Sequence, residues 1–398
     1  MQMNDASTIG ALAQSQHTVS KNYEDTAMQM ITDEAFNIIA ANAAAGRANR
    51  HVLPESIKAL EDCGFMRAFL PKKLGGLEAT PQAFFRAQIR IAEADMSTAW
   101  VAGIISIHAF QIALMDERAQ IAVYGDNPNT RVCSSYNPVG AKAEKVDGGV
   151  MVSGRWGWSS GSGHSTWALL GGVIPGEGYR TFLIPNSQYR IEDTWNVMGL
   201  QGTGSNDVVI DEPVFVPDYM THKRDDGFNC KHEQDSAMYN MPWAQGFIRV
   251  VNTPAIGALK SALKCFIESR TGASTDPTKL ATDVETLTRI AEVQNIIDEC
   301  ETVLFKNFDE MEACNWEPTI EQRVLYRYQA SLVIEKAIKA IDLLYDVAGG
   351  RSVFNNHPMM NYWHDIHIAR AHVANSPVSF ARNLGGVMAG ADNSDQFI

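Results

Sequence analysis

Residues Ala99 to Leu114 read AWVAGIISIHAFQIAL, a run that turns an apolar side chain outward on nearly every face when coiled as a helix. A helix without a polar face must be covered all round, so other elements have to be wrapped around this one. The run falls short of the ~18 residues that a membrane span requires, which makes it a core helix. Its one ionisable residue, His108, is therefore a constrained group. A buried imidazole either finds a hydrogen bond and stays neutral as part of the core, or lines a pocket.

What surrounds this helix changes character twice along the 398 residues, a length that at roughly 150 residues per domain suggests two or three domains. From about Thr26 to Glu117 apolar residues recur at helical spacing, and Pro54 stands at the first turn of a helix continuing through Leu60. At Arg131 the period shortens. Val132–Tyr136, Trp167–Ile174, Thr181–Ile184 and Val208–Val216 read as short strands, and Asp147-Gly148-Gly149 between Val146 and Val150 marks a hairpin. A polar stretch at Tyr219–Asp235 follows, and beyond Pro242 the pattern is helical again. Val284 to Met311 and Val324 to Tyr345 give two long amphipathic helices, the second closed by Gly349-Gly350. The expected organisation is α+β and mainly α: residues 1–130 an N-terminal helical domain, 131–240 a β domain with its linker, and 241–398 a helical bundle.

Composition narrows the function. Apolar residues make up 45% and charged residues 20%, as in ordinary globular proteins, and 33 basic against 46 acidic residues leave a formal charge of −13. With no basic run to offset that excess, nucleic acid and anionic membrane are excluded as partners. The N-terminus has neither a basic start nor an apolar core of a signal peptide. Cys63, Cys133, Cys230, Cys265, Cys300 and Cys314 show no paired spacing, which indicates reduced thiols and a cytoplasmic protein.

Several short patterns invite chemistry. Gly157-Trp158-Ser159-Ser160-Gly161 matches the G-x-S-x-G of a hydrolase nucleophile elbow, but a strand follows where that motif needs a helix. Gly199-Leu200-Gln201-Gly202-Thr203-Gly204 lacks the opening helix of a dinucleotide-binding fingerprint, and reads as a tight β corner able to approach a flat ring or a phosphate. His364, His367 and His372 have no third metal ligand at a useful spacing. On one continuous helix Asp365 and His372 share a stripe but stand roughly 10 Å apart along the axis, too far for a dyad.

Three blocks together resemble the acyl-CoA dehydrogenase superfamily: Val152 to Gly161, Met198 to Val208, and Gly349-Gly350-Arg351 with His364-Asp365. The resemblance covers most of the chain after about residue 30. It implies an N-terminal helical domain, a middle β-barrel and a C-terminal four-helix bundle, assembled as a homotetramer. One departure redirects the function. The dehydrogenases carry a glutamate base after the last bundle helix, whereas the corresponding Arg370–Pro377 contains no carboxylate. His372 there, and Ser-Ser-Gly-Ser after the tryptophans, look like the flavin-dependent aromatic monooxygenases of the same fold, which act on 4-hydroxyphenylacetate, steroid-derived phenols, indole or indole-3-acetate. These are oxygenase components of two-component systems, using diffusible reduced FMN or FAD from a separate NAD(P)H-dependent reductase, with O2, through a C4a-hydroperoxyflavin. An acyl-CoA dehydrogenase or oxidase with a carboxylate from elsewhere is the alternative.

The resemblance also implies roles. His372 supports the oxygen adduct, Ser159 contacts flavin N5, and His108 deprotonates or orients the substrate. Ser134 makes a polar substrate contact, and Trp100, Trp243 and Phe247 line a flat apolar pocket, although aromatics at such positions also serve as plain core. Ser135, Tyr136, Trp158, Gly349 and Gly350 join Ser159 at the flavin. Arg270 either reaches flavin phosphates of a neighbouring subunit or sits at a solvated helix end. Trp158, standing where the phenol hydroxylases have phenylalanine, tilts the substrate toward an indole-type ring.

Overall fold

The computed structural model describes residues 22–223, 236–273, 283–355 and 357–398. The apolar run becomes α5 (Met96–Ala113), an 18-residue helix buried at every position, after α1 (22–30), α2 (Asp33–Asn49), α3 (Pro54–Asp62) and α4 (Pro81–Ala94). Pro54 stands at the first turn of α3 as expected. In length and hydropathy α5 could cross a membrane, more than its sequence pattern suggested, but other elements cover it completely. Its N-terminus is capped by Asp95, whose carboxylate accepts Thr98 N–H at 2.8 Å and pairs with Arg47 at 3.2 Å. Short α6 (Glu117–Tyr124) then leads into the β region.

That region is two four-stranded sheets, in the orders β1-β4-β5-β8 and β2-β3-β7-β6. The strands are β1 (Val132–Ser135), β2 (Ala141–Val146), β3 (Gly149–Ser159), β4 (Trp167–Ile174), β5 (Gly178–Pro185), β6 (Arg190–Glu192), β7 (Asn206–Pro217) and β8 (Thr221–Lys223). The β2–β3 hairpin turns at Asp147-Gly148, where Gly148 takes φ +73°. β1 pairs with β4 in parallel and forms the sheet's edge, its free side toward α5. Ser159 leads into a 3₁₀ turn at Ser162–His164 and then β4, so the nucleophile elbow has no helix to complete it.

The second helical region comprises α7 (Trp243–Val250), α8 (Pro254–Ala273), α9 (Val284–Ala313), α10 (Ile320–Asp346), α11 (Pro358–Ala369) and α12 (Pro377–Met388). A capping box at Thr319 and Gln322 fixes the start of α10. There are two cores, and α5 belongs to both. Ile107 and Phe110 pack among the helices, whereas Ala109 and Ile112 pack into the sheets. Anything α5 carries in its middle therefore lies at the seam between them.

Candidate active site

His108 sits at that seam, wholly buried. Its Nδ1 lies 2.6 Å from the carbonyl oxygen of Val132 on the free edge of β1. A carbonyl only accepts, so Nδ1 carries the proton and donates it. Nε2 then presents a bare lone pair, and it has no hydrogen-bond partner among the described residues. Burial pushes the imidazole down to about 4 from its ordinary 6.5, the Val132 bond opposing, so the ring is neutral at pH 7.

Around it stands a cage of rings. Trp243 and Phe247, one turn apart on α7, stack with centroids 4.6 Å apart. Tyr136 meets both edge-on at 5.4 and 5.2 Å, and His108 faces Phe247 at 6.5 Å. Burial lifts the Tyr136 hydroxyl far above its ordinary range. It therefore keeps its proton and donates to Gln111 Oε1 at 2.6 Å, with the Ser134 side chain against it. Among these residues the structure brings together His108, Ser134, Tyr136, Trp243 and Phe247.

A second cluster lies where the glycine corner meets the bundle. Trp100 donates from Nε1 to Ser160 Oγ at 3.2 Å, Ser160 and Ser205 hydroxyls are 2.8 Å apart, and the His372 ring meets Trp100 edge-on at 5.7 Å. His372 is not on the helix that the sequence pattern extends through it. α11 stops at Ala369, and His372 caps the next 3₁₀ turn, its Nδ1 accepting Ala374 N–H at 3.2 Å. Its proton is therefore on Nε2. Desolvation, helped by the Arg327 charge, lowers this imidazole too to about 4. Asp365 on α11 holds the glycine corner, Oδ1 accepting Leu200 N–H at 2.5 Å. A Cβ at Gly199 would lie 2.3 Å from the His364 carbonyl oxygen, so only glycine permits this approach. Burial raises the Asp365 carboxyl to about 7, against the Leu200 bond.

Other expected residues fall elsewhere. Ser159 and Ser160 part company: the Ser159 hydroxyl is wholly buried beside the Cys133 thiol inside the β region, and Ser160 is the serine turned toward Trp100. The register of β3 against β7 slips between Trp156 and Ser159, and Trp158 takes φ +62°, so strict alternation of faces fails there. Trp158 is left 68% exposed, outside the ring cage. Ser135 bonds the Gly157 carbonyl at 2.8 Å, bracing the same bulge. Gly349 and Gly350 are exposed on the connection after α10, with Gly349 at φ +79° and ψ 172°, a conformation almost confined to glycine. The Arg270 side chain and Cys230 lie outside the described residues, and Cys63, Cys133, Cys265, Cys300 and Cys314 are free thiols. Asp365, Arg327 and Phe397, which draw these clusters together, escaped the sequence reading as site residues. Only Asp365 left a trace there, in the His364-Asp365 block.

Comparison with known proteins places this architecture. The pattern of the acyl-CoA dehydrogenase C-terminal domain matches residues 250–377. The chain is 35% identical over 359 residues to the flavin-dependent monooxygenase oxygenase subunit HsaA of Mycobacterium tuberculosis, covering 87% of this chain and 91% of that one. It is 28% identical over 371 residues to the oxygenase component of an FADH2-dependent resorcinol hydroxylase from a Rhizobium species, covering 87% and 90%. The crystal structure of the 3-HSA hydroxylase from Rhodococcus sp. RHA1 superposes with a TM-score of 0.88 at 33% identity, covering 94% of this chain and 98% of that one.

Proposed function

Since the chain belongs to the oxygenase components of flavin-dependent aromatic monooxygenases, built on the acyl-CoA dehydrogenase fold, we propose that it hydroxylates a small phenol. The observation that carries this reading is the bare Nε2 of His108, buried and neutral inside a cage of aromatic rings. Such a group accepts a hydrogen bond from a phenol O–H, and the electron density this leaves on the phenol oxygen enriches the ring carbon to be attacked. The resorcinol-named relative supports the same substrate class. The tilt toward indole rested on Trp158, which stands outside the cage.

An oxygenase component depends on a separate reductase for its reduced flavin, and FAD supplied by an NAD(P)H-dependent partner is the form proposed. When bound, reduced flavin activates O2 and delivers one oxygen atom to the ring. The residues fit such a guest. Ser160, rather than Ser159, offers a hydroxyl beside Trp100, and the neutral His372 offers an Nε2–H as hydrogen-bond donor to oxygen held there. Exposed Trp158, Ser135 and the Gly199–Gly204 corner would flank the flavin. In a homotetramer, Arg270 and Gly349-Gly350 would reach the flavin of a neighbour. Against the dehydrogenase alternative, the stretch Arg370–Pro377 holds no carboxylate, and Asp365 on α11 is committed to Leu200 N–H.

The test is anaerobic: reduced FAD and protein are mixed, then O2 is added with a panel of phenols and indoles, and products and peroxide are quantified. A hydroxylated phenol formed in step with flavin oxidation is the expected result. Peroxide alone with every aromatic would overturn the reading, and product from indoles alone would replace the phenol with an indole.

A further inference from the structure

The ring cage has one more wall, contributed by the distant tail after α12. Phe397 meets Trp243 edge-on with centroids 5.4 Å apart and Phe247 at 5.8 Å, with interplanar angles of 89° and 85°. It thus stands perpendicular to the stacked pair on α7, and Ile398 beside it is 9% exposed. We propose that Phe397 is a specificity-determining residue whose ring sets the size of the aromatic that the cage accepts.

The tail is built to hold that ring in place. Asp395 Oδ1 accepts Phe397 N–H at 2.8 Å, and Asn393 Oδ1 accepts Asp395 N–H at 3.1 Å, two successive side-chain turns. Asn383 on α12 ties the start of the turn down, donating to Asn393 Oδ1 at 2.8 Å and accepting Ser394 N–H at 2.9 Å. The other carboxylate oxygen of Asp395 faces Arg327 on α10, 3.8 Å from its Nε. Arg327 is almost fully buried, lies over the Phe380 ring at 3.4 Å, and donates to the Ala374 carbonyl at 3.0 Å. One guanidinium therefore touches both the tail that delivers Phe397 and the turn that carries His372. A segment with no apolar contact of its own would need none of these anchors. Their geometry is that of a wall fixed in register with the reacting groups.

The inference rests on the phenol reading for the kind of ligand, and its test separates the two. Binding of phenol and of 2-naphthol to the flavin-free protein is measured by equilibrium dialysis, a readout that requires no turnover. Phe397→Ala opens the wall, and the naphthol-to-phenol affinity ratio should rise about tenfold, the scale set by one hydrophobic pocket contact. Phe397→Trp fills it, and the ratio should fall. Unchanged ratios in both variants would overturn the assignment even if the wild type hydroxylates phenols. Ratios that move in opposite directions uphold it, while failure of the wild type to hydroxylate either compound counts against the phenol reading alone.

Discussion

Two neutral histidines, both held near a pKa of 4 by burial, face the proposed chemistry with opposite hands. His108 spends its proton on the Val132 carbonyl and shows a lone pair, while His372 receives a backbone N–H from Ala374 and keeps its proton on Nε2. One is fixed to a strand edge and wholly buried among rings; the other caps a turn and is half-buried. The difference teaches that a backbone atom chooses the tautomer, and that the tautomer chooses the role. An acceptor suits a phenol, and a donor suits reduced oxygen.

Removing each ring in turn separates the roles. His108→Ala should lower hydroxylation by ~10²–10⁴, the usual worth of a positioned base, while the enzyme still binds flavin and consumes O2 as peroxide slowly. His372→Ala should keep flavin binding but shift O2 consumption to rapid peroxide release, with coupling down by as much as ~10²–10³, the worth of one preorganised donor. Stopped-flow oxidation with product analysis distinguishes the two, and an identical pattern in both variants breaks the comparison.

A finer effect concerns stability. Between about 4 and 6.5 the unfolded chain binds protons that folded His108 and His372 refuse, so their stabilisation is lost as pH falls through that window. Asp365 acts the other way. Its folded carboxyl, raised from 3.8 to about 7, holds a proton the unfolded chain releases, so its contribution is lost as pH rises through that range. Asp365→Asn retains an oxygen for Leu200 N–H and removes the opposing slope. Its Tm should climb more steeply than that of the wild type between pH 5 and 7, by up to about 1.4 kcal/mol of stability per pH unit. Parallel Tm profiles would show that the carboxyl does not titrate in that range.

How far the sequence discloses all this depends on whether the determining contacts are local. The burial of α5 follows from its own run of apolar-rich positions, and the hairpin follows from Asp147-Gly148 between two short apolar runs. The bulge near Trp158 is a different matter. A non-glycine residue at positive φ has no composition signal, and the slipped register decides which way Ser159 and Ser160 face. The end of α11 is equally silent, because no glycine or proline interrupts the pattern until Pro377. His372 was therefore drawn onto a helix that it only follows. Phe397 reaches Trp243 and Phe247 across about 150 positions of chain, and a contact of that range leaves no trace in local periodicity.

α5 also has a history that its final surroundings conceal. Among the elements that cover it, α4 precedes it and β1 follows soon after, but α7 begins at Trp243, 130 positions beyond Ala113. At a synthesis rate of about 5–20 residues per second, that flank stays uncovered on the ribosome for on the order of ten seconds. For that interval the nascent chain displays a strip as greasy as a membrane anchor, with His108 at its centre. His108, the residue proposed to meet the phenol, is thus carried on a flank that is covered only once α7 has been made.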